Sequence, residues 1–252
     1  STDSAFTTTV FDDSTVTSNS RQVGPLANNK KYYWRVNATN SGGTSDWSNI
    51  WQFTTIVATP AIPTATVAPN VTASSFTANW NSVSGATGYQ LDVSISNSFD
   101  SYITGYENFE ISNVTSHNVT GLRAGTTYYY RVRAYNSGGS SGNSTTIPVT
   151  TVPPAPTAHA ATDVTDSSFT ANWDSVSGAT GYQLDVSTSS SFDSYVADYD
   201  SLDVGNVNSK NVNGLNKGKS YYYRVRAYNA NGTSDNSNEI GDIIASVEQT
   251  AG

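Results

Sequence analysis

Neither cysteine nor methionine occurs among the 252 residues. The first absence excludes a disulfide framework, so the fold must be held by its apolar core alone; it does not by itself give a compartment. The second leaves the sequence without its own start residue, as expected of a processed polypeptide or a piece of a longer one. Charge is sparse as well: 13% of residues are Asp, Glu, Lys or Arg, and the net charge is −8. An acidic surface repels phosphate backbones and anionic headgroups, so nucleic acid is not expected as a partner. No run of about 20 apolar residues exists, so no membrane insertion is expected. No secretory signal is visible. Helix formers are scarce and no long 3.6-residue period occurs. Ser, Thr, Asn and Gly fill the chain instead, a strand-and-turn composition.

Groups that do chemistry are also few. The two histidines are His117, in a polar loop or strand edge, and His159, in a Pro/Ala/Thr linker. Neither has the buried, oriented setting that a catalytic base requires. Asp12-Asp13 and the group Asp198, Asp200 and Asp203 are acidic, but no Asp-x-Asp-x-Asp-Gly loop accompanies them. They read as solvated turn carboxylates rather than a metal site. The chain is therefore expected to be no enzyme and to need no cofactor.

What the chain does have is repetition. Phe-Thr-Ala-Asn-Trp at 76–80 returns at 169–173, and Tyr-Tyr-Tyr-Arg-Val-Arg-Ala-Tyr-Asn at 128–136 returns at 221–229, both offset by 93 residues. That period is the length of one small β-sandwich domain. Inside each copy the pattern has period 2. Phe76, Ala78 and Trp80 share one face; Tyr89, Leu91 and Val93 alternate with Gln90, Asp92 and Ser94; Tyr128, Tyr130, Val132 and Ala134 alternate with Tyr129, Arg131, Arg133 and Tyr135. Alternation of this kind marks strands with one buried face. Asn-Ser-Gly-Gly at 136–139 and Asn-Ala-Asn-Gly at 229–232 supply the positive φ that hairpin turns need.

These residues resemble the fibronectin type III family. The resemblance lies in a Trp ending the second strand, a Tyr opening the third, and a Leu-x5-Tyr element leading into Tyr-x-Val-x-Ala. Leu-x5-Tyr occurs at Leu26/Tyr32, Leu122/Tyr128 and Leu215/Tyr221. It resembles the tyrosine corner, in which the ring hydroxyl ties back to upstream backbone. The resemblance implies an all-β chain of immunoglobulin-like sandwiches, seven antiparallel strands each, in an elongated tandem array. The finer wording, such as Ser-Phe-Asp-Ser-Tyr and Ser-Gly-Gly-Thr-Ser, is similar to that of bacterial secreted and cell-surface proteins, particularly those of Bacteroidota. The domains are expected at 58–151 and 152–247, with a tail at 248–252. Residues 1–57 form an incomplete first copy. Residues 1–6 match 94–99, and 32–36 match 128–132, so the counterparts of the first three strands are absent. Trp34, Val36 and Phe53 are then expected to face solvent, with open strand edges that recruit other chains. A strand could come from a neighbour or from residues 245–252, but so short a tail cannot replace three strands. Pro60, Pro63, Pro153, Pro154 and Pro156 stiffen the connections between copies.

Three sets of residues are candidate sites. The outward row Tyr129, Arg131, Arg133 and its copy Tyr222, Arg224, Arg226 place aromatics beside guanidinium groups, which can stack on sugar rings or protein partners. The bland alternative is ordinary cross-strand packing. Ser4, Ser14, Ser175 and Ser201 follow Asp and precede a small or aliphatic residue, which resembles the Bacteroidota O-glycosylation motif. Asn37 is the best placed of six Asn-x-Ser/Thr sequons, since it alternates outward from Val36 and Ala38. Leu-Asp-Val at 91–93 and 184–186 reads as a strand pattern rather than as an adhesion tripeptide. The expected role is a spacer or adhesive stalk of an extracellular or cell-surface protein. Its expected partners are other domains of the same polypeptide, neighbouring copies of the chain, or glycans. The alternatives are a filament subunit whose open first domain is completed by a neighbour, and an accessory region of a secreted polysaccharide-degrading enzyme.

Overall fold

A computed structural model describes residues 1–244, without the side chain of Ile244. The end of the third copy at 245–247 and the tail at 248–252 lie outside the described residues. Every regular element described is a strand, and none is a helix that could cross a membrane.

The strands form where the apolar alternation is. In the second copy, Ser75–Trp80 pairs on one side with Ala65–Thr66 and on the other with Ser116–Thr120. Gly88–Ser94 lies between Phe109–Ser112 and Thr127–Asn136, and the latter also pairs with Ile147–Thr150 and the short Gly139–Ser140. All pairings are antiparallel, giving a three-stranded and a five-stranded sheet. Phe76, Ala78 and Trp80 from one sheet meet Tyr89, Leu91, Val93, Tyr130 and Val132 from the other in a single core. The third copy repeats the arrangement. Ala158–Thr162, Ser168–Trp173 and Ser209–Asn213 form one sheet. Gly181–Ser187, Leu202–Gly205, Ser220–Asn229, Gly232–Thr233 and Ile240–Ile244 form the other.

Two tyrosines tie each sandwich together. The Tyr128 hydroxyl accepts the Arg123 N–H at 2.8 Å, and Tyr221 accepts that of Asn216 at 2.7 Å. Tyr32 does the same with Ala27 at 3.0 Å. All three rings are buried. The second tie crosses between sheets. Tyr130 donates to the Thr66 carbonyl and Tyr223 to that of His159. Burial raises the pKa of both phenols, which keeps the proton they donate.

His159 sits elsewhere than its sequence context implied, whereas His117 lies on an edge strand, one of the two settings expected of it. His159 lies in the Ala158–Thr162 strand, because pairing with Ser168–Trp173 resumes immediately after the prolines; its ring meets Asp174 at 2.8 Å. His117 is on the Ser116–Thr120 strand, its ring 4.9 Å from that of Phe109 and 6.0 Å from that of Tyr106. Burial lowers its pKa, so the imidazole is neutral in the folded state at pH 7.

The first copy holds two small pairs. Lys31–Trp34 pairs with Trp51–Thr54, and Thr39–Asn40 with Gly43–Thr44. Tyr32 is buried, but Trp34, Val36 and Phe53 are exposed. Trp34 stacks on Trp51 with 6.4 Å between ring centroids, and Tyr32 on Phe53 with 5.8 Å.

Candidate functional site

The outward row on Thr127–Asn136 is built around a carboxylate that alternation places on the solvent side. Asp92 stands opposite Arg131 in the antiparallel register, yet it is only 1% exposed. It accepts from Arg131 Nε at 2.9 Å and from the Asn108 N–H at 2.8 Å, and forms an ion pair with Arg133 Nη2 at 3.5 Å, which itself donates to Asn108 Oδ1. The loop after Gly88–Ser94 folds back over this face and removes it from water. Ser94 Oγ holds the Ser101 carbonyl at 2.5 Å. Phe99 lies 4.0 Å from the Arg131 guanidinium, and Tyr102 accepts from Arg131 at 3.3 Å. Phe99 takes a left-handed φ of 56°, an uncommon state for a bulky residue, held here by its ring contact with arginine.

The third copy reproduces the cluster. Asp185 accepts from Arg224 Nε at 2.9 Å, Arg226 Nη2 at 3.1 Å and the Ser201 N–H at 2.8 Å, with Phe192 at 4.0 Å from Arg224. The structure thus brings Arg131 with Arg133, and Arg224 with Arg226, onto one buried carboxylate each. Tyr129 and Tyr222 remain half-buried beside them. Tyr222 donates to Asp242 at 3.1 Å; that hydrogen bond, with the carboxylate's charge, raises its pKa. Sequence reasoning missed Asp92 and Asp185. The signal was present: an acid in Leu-Asp-Val-Ser recurs with two arginines in both copies.

The candidate modification residues divide by accessibility. Ser4, Ser14, Ser175 and Asn37 are exposed. Ser201 is half-buried, its hydroxyl accepting from Arg226 at 2.7 Å. Asp3, beside Ser4, accepts the N–H groups of Thr7 and Thr8 at 3.0 and 3.1 Å, which lowers its pKa. Among the described residues no group of His, Asp or Glu could hold a metal ion.

A family model described as the fibronectin type III domain matches residues 60–150 and 154–242. The chain belongs to the fibronectin type III family. A Kelch domain-containing protein of Saccharolobus solfataricus is 33% identical over 126 residues, covering 50% of this chain and 17% of that protein. Mouse contactin-6 is 34% identical over 124 residues, 45% of this chain and 12% of its own length. The chain thus spans less than a fifth of either relative. A crystal structure of chicken CNTN1 FN1-FN3 domains matches 87% of this chain and 77% of that one, at 21% identity and a TM-score of 0.40.

Successive fibronectin type III repeats meet through a copied joint. Asn136, in the turn between Thr127–Asn136 and Gly139–Ser140, donates through Nδ2 to the Ala58 carbonyl of the preceding linker at 2.9 Å and to Gly85 at 3.0 Å. Asn229 does the same to Thr151 at 2.9 Å and Gly178 at 3.2 Å. Asn231 adds a bond to Thr150 at 2.6 Å, and Ser177 Oγ donates to the Gly125 carbonyl at 2.9 Å. Gly125 and Gly178 touch across the second joint; a Cβ on either would meet backbone of the other repeat. Pro60, Pro63, Pro153 and Pro156 are buried, so the linkers are packed chain rather than free tether.

Proposed function

We propose that this chain is part of an extracellular or cell-surface protein in which fibronectin type III repeats act as a spacer or adhesive stalk. The copied joint is the observation that carries this reading. Contacts between domains of one chain are commonly small, and relative motion is the default. Here the same asparagine in each repeat captures a linker carbonyl and a turn carbonyl of its own repeat at once. A tie reproduced at a fixed period transmits position along a chain, which is what a stalk does. The buried aspartates and the arginines of the outward rows pair with one another inside each repeat.

The loop wording around Phe6, Phe99 and Phe192 supports a bacterial, Bacteroidota-like parent. The exposed Ser4, Ser14, Ser175 and Asn37 are the positions offered for sugars, as expected for an outer-surface polypeptide. Antibodies raised against residues 60–242 should label intact, unpermeabilised cells of the source organism. Labelling that appears only after permeabilisation would remove the stalk reading.

A further inference from the structure

The two joints share the asparagine tie and differ upstream of it. In both, a threonine closing one repeat clamps a turn of that same repeat. Thr151 Oγ1 donates to the Arg123 carbonyl at 2.7 Å and accepts the Thr126 N–H at 3.0 Å. Thr55 Oγ1 donates to the Ala27 carbonyl at 2.6 Å and accepts the Lys30 N–H at 2.9 Å. At the second joint Thr151 is also the residue whose carbonyl Asn229 captures, so one residue is gripped by both repeats. At the first joint the clamp is Thr55, but the captured carbonyl belongs to Ala58, three residues on. The sequence carries the same insertion: Thr55 and Thr151 are 96 residues apart, whereas Pro60 and Pro153 are 93 apart.

The turns that face each other across the joint differ as well. A Cβ on Gly178 would lie 2.6 Å from the Gly125 Cα, so these two backbones touch. Their first-joint counterparts are Asn29 and Gly85. Asn29 takes the same left-handed conformation, with φ 50° against 61° at Gly125, but it carries a side chain that so close an approach would not admit. The first joint is open there: a Cβ on Gly85 would meet nothing within 4 Å. Ser177 crosses the second joint to the Gly125 carbonyl, but among the described residues no hydrogen bond runs directly from residues 1–55 to residues 59–152. Thr151, Val152 and Pro153 are buried; Ile56 is 81% exposed, and Ala58 is exposed too.

We propose that residues 56–58 are a hinge and that the second joint is a fixed coupling, so that bending between repeats is confined to the first joint. The asparagine tie seats Ala58 on the second repeat, and the motion arises between Ala58 and the Thr55 clamp. Three residues of extended chain reach about 10 Å, enough slack for the first repeat to pivot. The inference rests on the geometry of the joints and not on where the protein resides.

The offset between repeats defines the test. Ser4→Cys, Asn97→Cys and Ser190→Cys place spin labels on one exposed loop position of each repeat, taken in pairs. Pulsed dipolar spectroscopy should give a distance distribution for 4–97 at least about twofold broader than that for 97–190. Deleting Ile56, Val57 and Ala58, together with Asn29→Gly, recreates the second joint in the first and should narrow the 4–97 distribution. Inserting Ile-Val-Ala between Thr151 and Val152 should broaden that for 97–190. Equally narrow distributions for both pairs would overturn the hinge and leave the stalk reading standing. A 4–97 distribution still broad after the deletion would overturn it too, by placing the motion inside the first repeat. If the deleted chain does not fold, the insertion decides, and a 97–190 distribution that stays narrow overturns the proposal. A broad 97–190 distribution without the insertion would remove the fixed coupling, and the stalk reading with it.

Discussion

Trp80→Ala is expected to destabilise the second repeat by about 3–5 kcal/mol, the range for deleting a buried aromatic. The indole is 3% exposed and lies 5.4 Å from the Tyr89 ring, at the meeting of the two sheets. No disulfide restrains the unfolded chain, because there is no cysteine. The core alone must offset the entropy of folding, and a hole at its centre is felt in full. Trp34→Ala is the control. Its indole is 46% exposed, and surface substitutions usually fall within about 0.5 kcal/mol. A chain of several domains has no single melting midpoint, so the loss is best read as faster exchange of the Val132 amide against that of Val225. Equal protection of both amides in the Trp80 variant would show that the indole is not central to the core.

The second large effect is expected at Asp92. Removing one member of a buried ion pair leaves its partners uncompensated and typically costs about 3–5 kcal/mol. Asp92→Ala should fall near the lower end, about 3 kcal/mol, because Arg131 and Arg133 are partly exposed and can take up water. It also strips the acceptor from the Asn108 N–H and the anchor from the loop bearing Phe99. Arg131→Ala in the Asp92→Ala background should cost far less than Arg131→Ala alone, since the partner is already gone. Additive losses, or an Asp92 variant as stable as the parent in denaturant, would contradict the account of this cluster.

Much of the fold was legible because it is written in period 2 and written twice. Phe76, Ala78 and Trp80 announce one buried face, and the Leu-x5-Tyr element places Tyr128 and Tyr221 by its spacing alone. The failures share one physical cause. Alternation divides a strand into a core face and a solvent face, and it cannot see a loop that folds back over the solvent face. Asp92 and Ser94 fall on that face and are nevertheless buried. Arg131 and Arg133 read as an outward row available to partners, yet each points at a carboxylate one strand away. The joints were hidden for a similar reason. Asn136 and Asn229 are ordinary turn residues by composition; only the three-dimensional path of the linker brings the Ala58 and Thr151 carbonyls to their amides. The prolines before His159 read as a linker, but a strand begins as soon as a residue with a free N–H can join the ladder.

The claim on which the functional reading rests is that the copied joint holds successive repeats in one relative orientation. The absence of cysteine makes a direct measurement straightforward. Asn97→Cys and Ser190→Cys place one spin label on the same exposed loop position of the second and third repeats. Pulsed dipolar spectroscopy is expected to give one narrow distance distribution between them. Adding Asn229→Ala and Ser177→Ala, which removes the Thr151, Gly178 and Gly125 bonds, should broaden it. A broad distribution in the chain that keeps Asn229 and Ser177, or one unchanged by their loss, would contradict the account.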